Sequence, residues 1–194
     1  WSSDVCSSDL VRTVSRFVKI GYRPIDAVVD LTNVVMADWG RPMHAYDADR
    51  VSDHTLIVRN AREGEALELL DDSSLQLTSN DMVITDTEKL LGLAGVMGGK
   101  HDSIGQSTTS VLLEAACFHA ATIRRSAARF KLRTESSQRF EKTLDPVTPP
   151  AAIQRFVNIA LEWGVLDDMP KGNIAIVAEK PEPVTLLLDH GYVV

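Results

Sequence analysis

Hydrophobic positions recur at helical spacing in three stretches of the chain. The first covers residues 24–39, where one helical face carries Ile25, Val28, Val29, Val35 and Met36. Pro24 is typical of a first helical position, and Gly40 is typical of the residue just past a helix end. The same periodicity returns in residues 119–130 and 151–163. The pattern therefore predicts helices at both ends of the chain.

Short apolar runs separated by turn residues predict strands in the middle of the chain. They cover residues 55–59, 66–70, 75–78, 82–85, 90–96 and 111–115. The cluster Asp71-Asp72-Ser73-Ser74 lies between two of these runs and predicts a hairpin turn. Strands and helices do not alternate. We therefore expect an α+β fold, with a β-sandwich-like core of short strands flanked by helices.

Length and composition allow one domain with a tail. A chain of 194 residues that is 44% hydrophobic can bury a core of its own. Residues 1–10 repeat Ser-Ser-Asp without apolar periodicity and look like a translated sequencing adapter, so we set them aside together with Cys6. Residues 11–165 form the expected domain. Residues 166–194 are rich in Pro, Lys and Glu, which predicts a linker and the start of a following domain.

Charge and cysteine content narrow the class of protein. A net charge of −7 argues against a domain that holds nucleic acid mainly by its own basic surface, so any RNA contact should be local. No apolar run reaches the roughly 18–20 residues that span a bilayer. The two cysteines are too few for a disulfide framework. A cytoplasmic location is the expectation.

Three common catalytic patterns fail in this sequence. Gly99-Lys100 lacks the flanking residues of a phosphate-binding loop. The five histidines show no paired ligand spacing, so no metal site is expected. No G-x-S-x-G elbow occurs, and nothing marks Cys117 as a nucleophile. A polar pocket that binds a ligand, with an attacking water, remains the chemistry to consider.

Five residues are candidates for such a pocket, and each has an ordinary structural alternative. Thr32 and Asn33 are polar residues in an otherwise apolar helix. They either face the pocket or hydrogen-bond only to local backbone. His44 is expected on a loop after the helix, where a histidine is commonly a surface residue. Gly95 either admits a ligand close to the backbone or serves a bend. Glu114 interrupts an apolar strand, where a carboxylate needs a partner unless the strand faces solvent.

Three segments stand in the order and at the spacing found in one family. They are GYRPIDAVVDLTNVVMADWGRPMHAYD (residues 21–47), LGLAGVMGG (residues 91–99) and LRTESSQRFEKTLDP (residues 132–146). Together they resemble the editing region of the phenylalanyl-tRNA synthetase beta chain, a B3/B4-type domain. The resemblance covers residues 21–145. Several separate motifs in order are far more specific than any one of them.

The resemblance implies a set of site residues. The family's Thr-Asn pair falls on Thr32 and Asn33, and its histidine eleven residues later falls on His44. The catalytic residues would be Asn33 and His44. The substrate-binding residues would be Thr32, Ala94, Gly95, Glu114, Thr134 and Ser136. Many relatives have alanine where this chain has Ser136, which adds a hydroxyl group to the expected pocket wall.

The same resemblance implies the reaction, which is hydrolysis of tyrosine wrongly esterified to tRNA(Phe). Glu114 would accept a hydrogen bond from the tyrosine phenol, which phenylalanine cannot offer. Asn33 and His44 would position the amino-acid end and a water that attacks the ester. His44 could act as a general base or orient the water, and both roles are compatible with the sequence.

The resemblance also implies the partners. These are the acceptor end of tRNA(Phe) and a synthetase alpha chain, in a tetramer of two alpha and two beta chains. No cofactor is expected for this chain, whereas the parent ligase uses ATP and Mg²⁺. A non-catalytic RNA- or protein-interaction module of the same fold is the alternative. Such a module should keep its partner affinity when Glu114 and His44 are changed.

Overall fold

The structure, a computed structural model, describes residues 8–105 and 107–166, and side chains from residue 12 onwards. The expectations for residues 1–7 and 167–194, including Cys6 and the linker, lie outside the described residues. Helix α1 is Ser8–Lys19. It crosses the boundary that we drew between residues 10 and 11, and the sequence analysis did not predict it.

Four more α-helices follow in the described part of the chain. They are α2 (Ala27–Trp39), α3 (Ala120–Phe130), α4 (Glu135–Phe140) and α5 (Pro149–Glu162). The three predicted helices are confirmed as α2, α3 and α5, and α4 was missed. None of the helices within the described ranges has the length and hydrophobicity needed to cross a bilayer.

The predicted start of α2 was wrong by three residues. Pro24 does not open the helix, because Asp26 is the N-cap and its carboxylate accepts a hydrogen bond of 2.9 Å from the Val28 N–H. Aspartate is a preferred N-cap because it pairs an otherwise unsatisfied N–H of the first turn. The predicted end is confirmed, since Gly40 takes the left-handed conformation with φ 69°.

Eight short strands form three antiparallel sheets in the described residues, which confirms the α+β class. The strands are β1 (His44–Asp47), β2 (Ile57–Asn60), β3 (Ala66–Glu68), β4 (Ser74–Gln76), β5 (Met82–Thr85), β6 (Leu90–Leu93), β7 (Met97–Gly98) and β8 (Val111–Glu114). The sheets have the strand orders β1-β8, β2-β5-β6-β7 and β3-β4. His44 therefore begins a strand and does not lie on the loop that we expected.

The hairpin predicted between β3 and β4 is confirmed by their antiparallel pairing. The run predicted as one strand over residues 90–96 was wrong. β6 ends at Leu93, and the chain turns at Gly95, with φ 66°, to return as β7. A residue with positive φ cannot continue a strand, so the apolar run divides into a hairpin.

Two hydrophobic cores lie on either side of the β1-β8 sheet. The larger core takes side chains from all three sheets together with α3 and Phe140. The smaller core joins α2 to α5 through Leu31, Val35, Phe156 and Ile159. Leu113 of β8 packs against the smaller core, and Leu112 packs against the larger one. Alternation along β8 thus directs successive side chains into different cores.

The buried cation Arg41 ties three elements together just after α2. Its guanidinium donates 2.9 Å to the Ala116 carbonyl, beyond the end of β8, and further hydrogen bonds to the Asp145 carbonyl and the Thr148 hydroxyl. The side chain is only 3% exposed. A buried cation without these acceptors would be strongly unfavourable, so the three contacts hold α2, β8 and the start of α5 in place.

We expect Arg41→Ala to lower the free energy of unfolding by about 3 kcal/mol, because it removes the three hydrogen bonds that the buried guanidinium donates. Urea denaturation of the purified chain measures this. Arg155→Ala is the matched control, since Arg155 pairs with Asp38 at the surface and both side chains are substantially exposed. The control should change stability by less than about 1 kcal/mol. Equal losses in the two variants would contradict the structural role of Arg41.

Candidate functional site

The pairing of β1 with β8 brings the two best candidate residues together. His44 lies directly opposite Glu114 in the antiparallel register. Directly opposite residues project from the same face of a sheet, and so does the residue two positions along. Tyr46 therefore shares this face, and its hydroxyl donates a hydrogen bond of 2.7 Å to Oε2 of Glu114. His44, Tyr46 and Glu114 form one polar cluster.

This cluster faces a cavity of about 530 Å³ between α2, the β6–β7 hairpin and the start of α4. A volume of this size suits a small-molecule or side-chain ligand. Seven of the eight predicted site residues line the cavity: Thr32, Asn33, His44, Gly95, Glu114, Thr134 and Ser136. Ala94 is not among the lining residues.

Helix α2 supplies Thr32 and Asn33, and the two residues behave differently. The Thr32 hydroxyl donates 2.7 Å to the Val29 carbonyl of its own helix, which is the ordinary backbone bond considered from the sequence. The Asn33 amide makes no hydrogen bond to any residue in the described ranges. Asn33 is therefore the α2 side chain that has free donors and an acceptor at the cavity.

Ala94 and Gly95 belong to the turn of the β6–β7 hairpin. Ala94 is buried in the larger core, and its N–H donates to the Met82 carbonyl. A Cβ on Gly95 would lie 3.0 Å from Phe118 and 3.1 Å from Phe140, which are core side chains. The glycine is thus required by its positive φ and by core packing, and its missing side chain does not leave extra room for a ligand.

The start of α4 forms another wall. The Thr134 hydroxyl donates 2.8 Å to the Val96 carbonyl and accepts 3.0 Å from the Ser137 N–H, so Thr134 is a helix cap that also fastens α4 to the hairpin turn. Ser136 lies in the first turn of α4 and lines the cavity. Its hydroxyl group adds a polar group to that wall.

Burial dominates the electrostatics of Glu114. Loss of solvation raises the pKa of its carboxyl to about 7, although the Tyr46 hydrogen bond acts in the opposite direction. At neutral pH the group is therefore divided between its charged and neutral forms. Tyr46 is its only hydrogen-bond partner among the described residues. The remaining bonding capacity of the carboxyl is available to a ligand.

Burial also determines the pKa of His44, but here it shifts the pKa downwards. Loss of solvation lowers the pKa of His44 to about 4, so the imidazole is neutral at physiological pH. No carboxylate within the described ranges hydrogen-bonds to the ring. Instead the ring meets Tyr46 edge-on, with centroids 4.5 Å apart. A neutral imidazole of this kind is a weak base with one donor and one acceptor.

Two residues of the site, Tyr46 and Gly98, were not predicted from the sequence. Tyr46 fixes Glu114, and its position two residues after His44 would have indicated a shared face had β1 been recognised as a strand. Gly98 packs against the His44 ring: a Cβ there would lie 2.5 Å from Cε1 and 2.6 Å from Nε2. The Gly98-Gly99 pair was the available signal, but only the structure shows that Gly98 meets the His44 ring whereas Gly99 meets the Leu91 carbonyl.

Comparison with known proteins gives consistent matches over nearly the whole described chain. Residues 9–164 match the family described as the B3/4 domain. The phenylalanine–tRNA ligase beta subunit of Cutibacterium acnes is 41% identical over 93% of this chain and 23% of its own length. The beta subunits of Dehalococcoides mccartyi and Bacillus cereus are 42% and 44% identical over 80% and 72% of the chain. The chain spans about a fifth of the length of these relatives.

We expect Gly98→Ala to displace the His44 ring, because the added methyl group would overlap its imidazole edge. The predicted loss of stability is about 1–3 kcal/mol, typical of overpacking. Thermal unfolding and the NMR shifts of His44 measure the two effects. Gly105→Ala is the control, since a Cβ there meets nothing within 4 Å. Unchanged His44 shifts in Gly98→Ala would contradict the contact.

The raised pKa of Glu114 predicts a pH-dependent difference from Glu114→Gln. The folded pKa of about 7 exceeds the ordinary 4.5, so the folded state binds the proton more tightly. The resulting stability is fully present below pH 4.5 and is lost as the pH rises through 7. Over that pH range, the free energy of unfolding of the wild type should fall by up to about 3 kcal/mol relative to that of the variant. Urea denaturation at a series of pH values measures this, and parallel curves would contradict it.

Proposed function

The chain belongs to the B3/4 domain family, and from that membership we propose that its cavity hydrolyses the ester of tyrosine wrongly attached to tRNA(Phe). The relatives named above are beta subunits of phenylalanine–tRNA ligase. A synthetic site for phenylalanine rejects an added hydroxyl by only about a hundredfold, because an apolar pocket has no strong means of excluding it. A second site that requires the hydroxyl solves this problem.

The observation that carries the proposal is the placement of Glu114. Its carboxyl faces the cavity, is held by Tyr46 through one oxygen, and has no other hydrogen-bond partner among the described residues. A tyrosine phenol can pair with the other oxygen. Phenylalanine would displace water from the carboxyl and leave it unpaired, and sites of this design discriminate by about 10⁴.

Asn33 and His44 are positioned to handle the reacting end of the substrate. Both line the same cavity as Glu114, and neither side chain is engaged in a hydrogen bond within the described residues. With a pKa of about 4, His44 is a poor proton acceptor, since a general base works best when its pKa is near the working pH. We therefore assign His44 to orienting the attacking water, and Asn33 to holding the amino-acid end of the substrate.

The remaining lining residues shape the pocket. Thr134 is engaged by its cap and by Val96, so it serves as a fixed wall. Ser136 presents a hydroxyl beside it and is the residue most suited to adjust the fit of the aromatic ring. Thr32 and Gly95 hold the backbone of their elements, and Ala94 supports Gly95 from the core.

The proposal extends to the partners of the chain. We propose that the substrate is delivered by the acceptor end of tRNA(Phe), in a tetramer of two alpha and two beta chains in the cytoplasm. Aminoacylation with ATP and Mg²⁺ would take place on the alpha chain. The cavity of this chain would need no cofactor for its step, because the attacking nucleophile is water.

We expect Glu114→Ala to abolish selective hydrolysis of Tyr-tRNA(Phe) while aminoacylation continues. The variant removes the acceptor for the phenol, so the preference for the tyrosyl over the phenylalanyl ester should fall at least a hundredfold. The measurement is deacylation of both esters by a reconstituted phenylalanine–tRNA ligase that carries this chain. Glu88→Ala is the matched control, because Glu88 is exposed and does not line the cavity.

Three results would count against the proposal. If the wild type spares both esters while tRNA binds, the chain is a non-catalytic interaction module. If Glu114→Ala keeps its selectivity, another residue reads the phenol. If Glu88→Ala loses activity equally, the effect of Glu114→Ala is not specific to the cavity.

A further inference from the structure

The charge of the chain is distributed unevenly. Residues 120–142 contain seven lysines and arginines and only two glutamates, so this segment has a net charge of +5 within a chain of −7. The rest of the chain therefore has a net charge of −12. A cationic segment of this size produces a local positive potential that attracts polyanions even on an acidic protein.

Five of these seven cations form no salt bridge within the described residues; the fifth is Lys142, and the other four lie on α3 or on its connection to α4. Arg124 and Arg125 lie on the exposed face of α3, and Lys131 and Arg133 lie on the exposed connection to α4. None of the four forms a salt bridge with a residue in the described ranges. We refer to Arg124, Arg125, Lys131 and Arg133 as the basic strip.

The neighbouring arginines show what a structural role looks like in this segment. Arg129 pairs with the buried carboxylate of Asp81, and Arg139 pairs with Glu135 one helical turn earlier. The first pair joins α3 to the residue before β5, and the second lies within α4. The residues of the basic strip form no such ion pair, so the packing of α3 and α4 does not explain their charges.

The basic strip is fixed to the wall of the cavity. Ile123 of α3 packs against Gly95, and the Ser126 hydroxyl donates 2.7 Å to the buried Asp81. At the other end, the Thr134 hydroxyl bonds to the Val96 carbonyl. Arg133 is next to Thr134, which lines the cavity. The strip therefore begins beside the cavity rim at Arg133 and continues through Lys131 to Arg125 and Arg124 on α3.

We propose that the basic strip binds the phosphates at the single-stranded 3′ end of an RNA whose terminal ester occupies the cavity. This inference rests on the proposed function, since a substrate ester on a terminal ribose must leave its phosphates outside the cavity. Cations at the rim hold such phosphates without reading the base sequence. They supply affinity and orientation, whereas Glu114 supplies the choice of amino acid.

The test measures binding of an unacylated, fluorescently labelled RNA stem–loop with a single-stranded 3′-CCA end to the full chain. Anisotropy at salt concentrations from 50 to 200 mM gives affinity and its salt dependence. Arg124→Gln combined with Arg133→Gln should weaken binding about tenfold at 50 mM salt. It should also reduce the slope of log K against log salt by about 1.4, or about 0.7 for each phosphate contact.

Arg62→Gln is the matched control, because Arg62 is exposed in the β2–β3 connection, no residue of which lines the cavity. It should leave both quantities near the wild-type values. Unchanged binding and slope in the double variant would overturn the inference, and so would an equal loss in Arg62→Gln. Binding to acidic phospholipid vesicles with no binding to the RNA would assign the strip to a membrane surface and would also overturn it.

A second readout separates this inference from the proposed function. Tyrosyl-adenosine carries the ester but has no phosphate, so its hydrolysis should be unchanged in the double variant, while the KM for the tyrosyl-RNA ester rises about tenfold. If neither ester is hydrolysed but RNA binding still depends on the strip, the proposed function fails, whereas the contact between the strip and RNA phosphates is supported. If hydrolysis proceeds and RNA binding ignores the strip, the inference alone fails.

Discussion

The site depends on one long-range interaction, the antiparallel pairing of β1 with β8. His44 and Glu114 are 70 positions apart along the chain, yet the register places them opposite each other. A slip of one residue would turn the side chains of one strand to the other face, so His44 and Tyr46 would no longer share a face with Glu114. The same pairing divides Leu112 and Leu113 between the two cores. Hydrophobic burial thus fixes the register, and the register assembles the polar cluster.

Burial then gives the two ionisable groups of the cluster opposite properties. Loss of solvation disfavours charge on both, so it raises the pKa of Glu114 and lowers that of His44. The result is a half-protonated carboxyl and a neutral imidazole in one cavity. These states suit hydrogen bonding to a phenol and to a water, whereas an ion pair between the two residues would occupy both. The cations of the basic strip, by contrast, are exposed to solvent and keep their charge.

Much of this arrangement could be read from local sequence. Helices α2, α3 and α5 follow from apolar periodicity, and the resemblance selected seven residues that line the cavity. The errors have local causes as well. Helix α2 begins after Asp26, which caps it, and not at Pro24. The positive φ of Gly95 divides a run that hydrophobicity alone would predict as a single strand. Helix α4 is only six residues long and begins with a Thr–Ser cap that lacks the usual glutamate.

The sequence by itself determined the fold class and most of the elements, because these depend on side-chain type and local spacing, and the motifs shared with one family supplied the candidate residues. Only the tertiary structure decided what those residues can do. It placed His44 on a strand, gave Glu114 the hydroxyl of Tyr46, pressed Gly98 against the imidazole, and directed Ala94 into the core. Each of these contacts joins residues whose approach depends on strand pairing and on burial from water. Local sequence pattern does not specify which distant residues will come into contact, because those contacts depend on the packing of the whole domain.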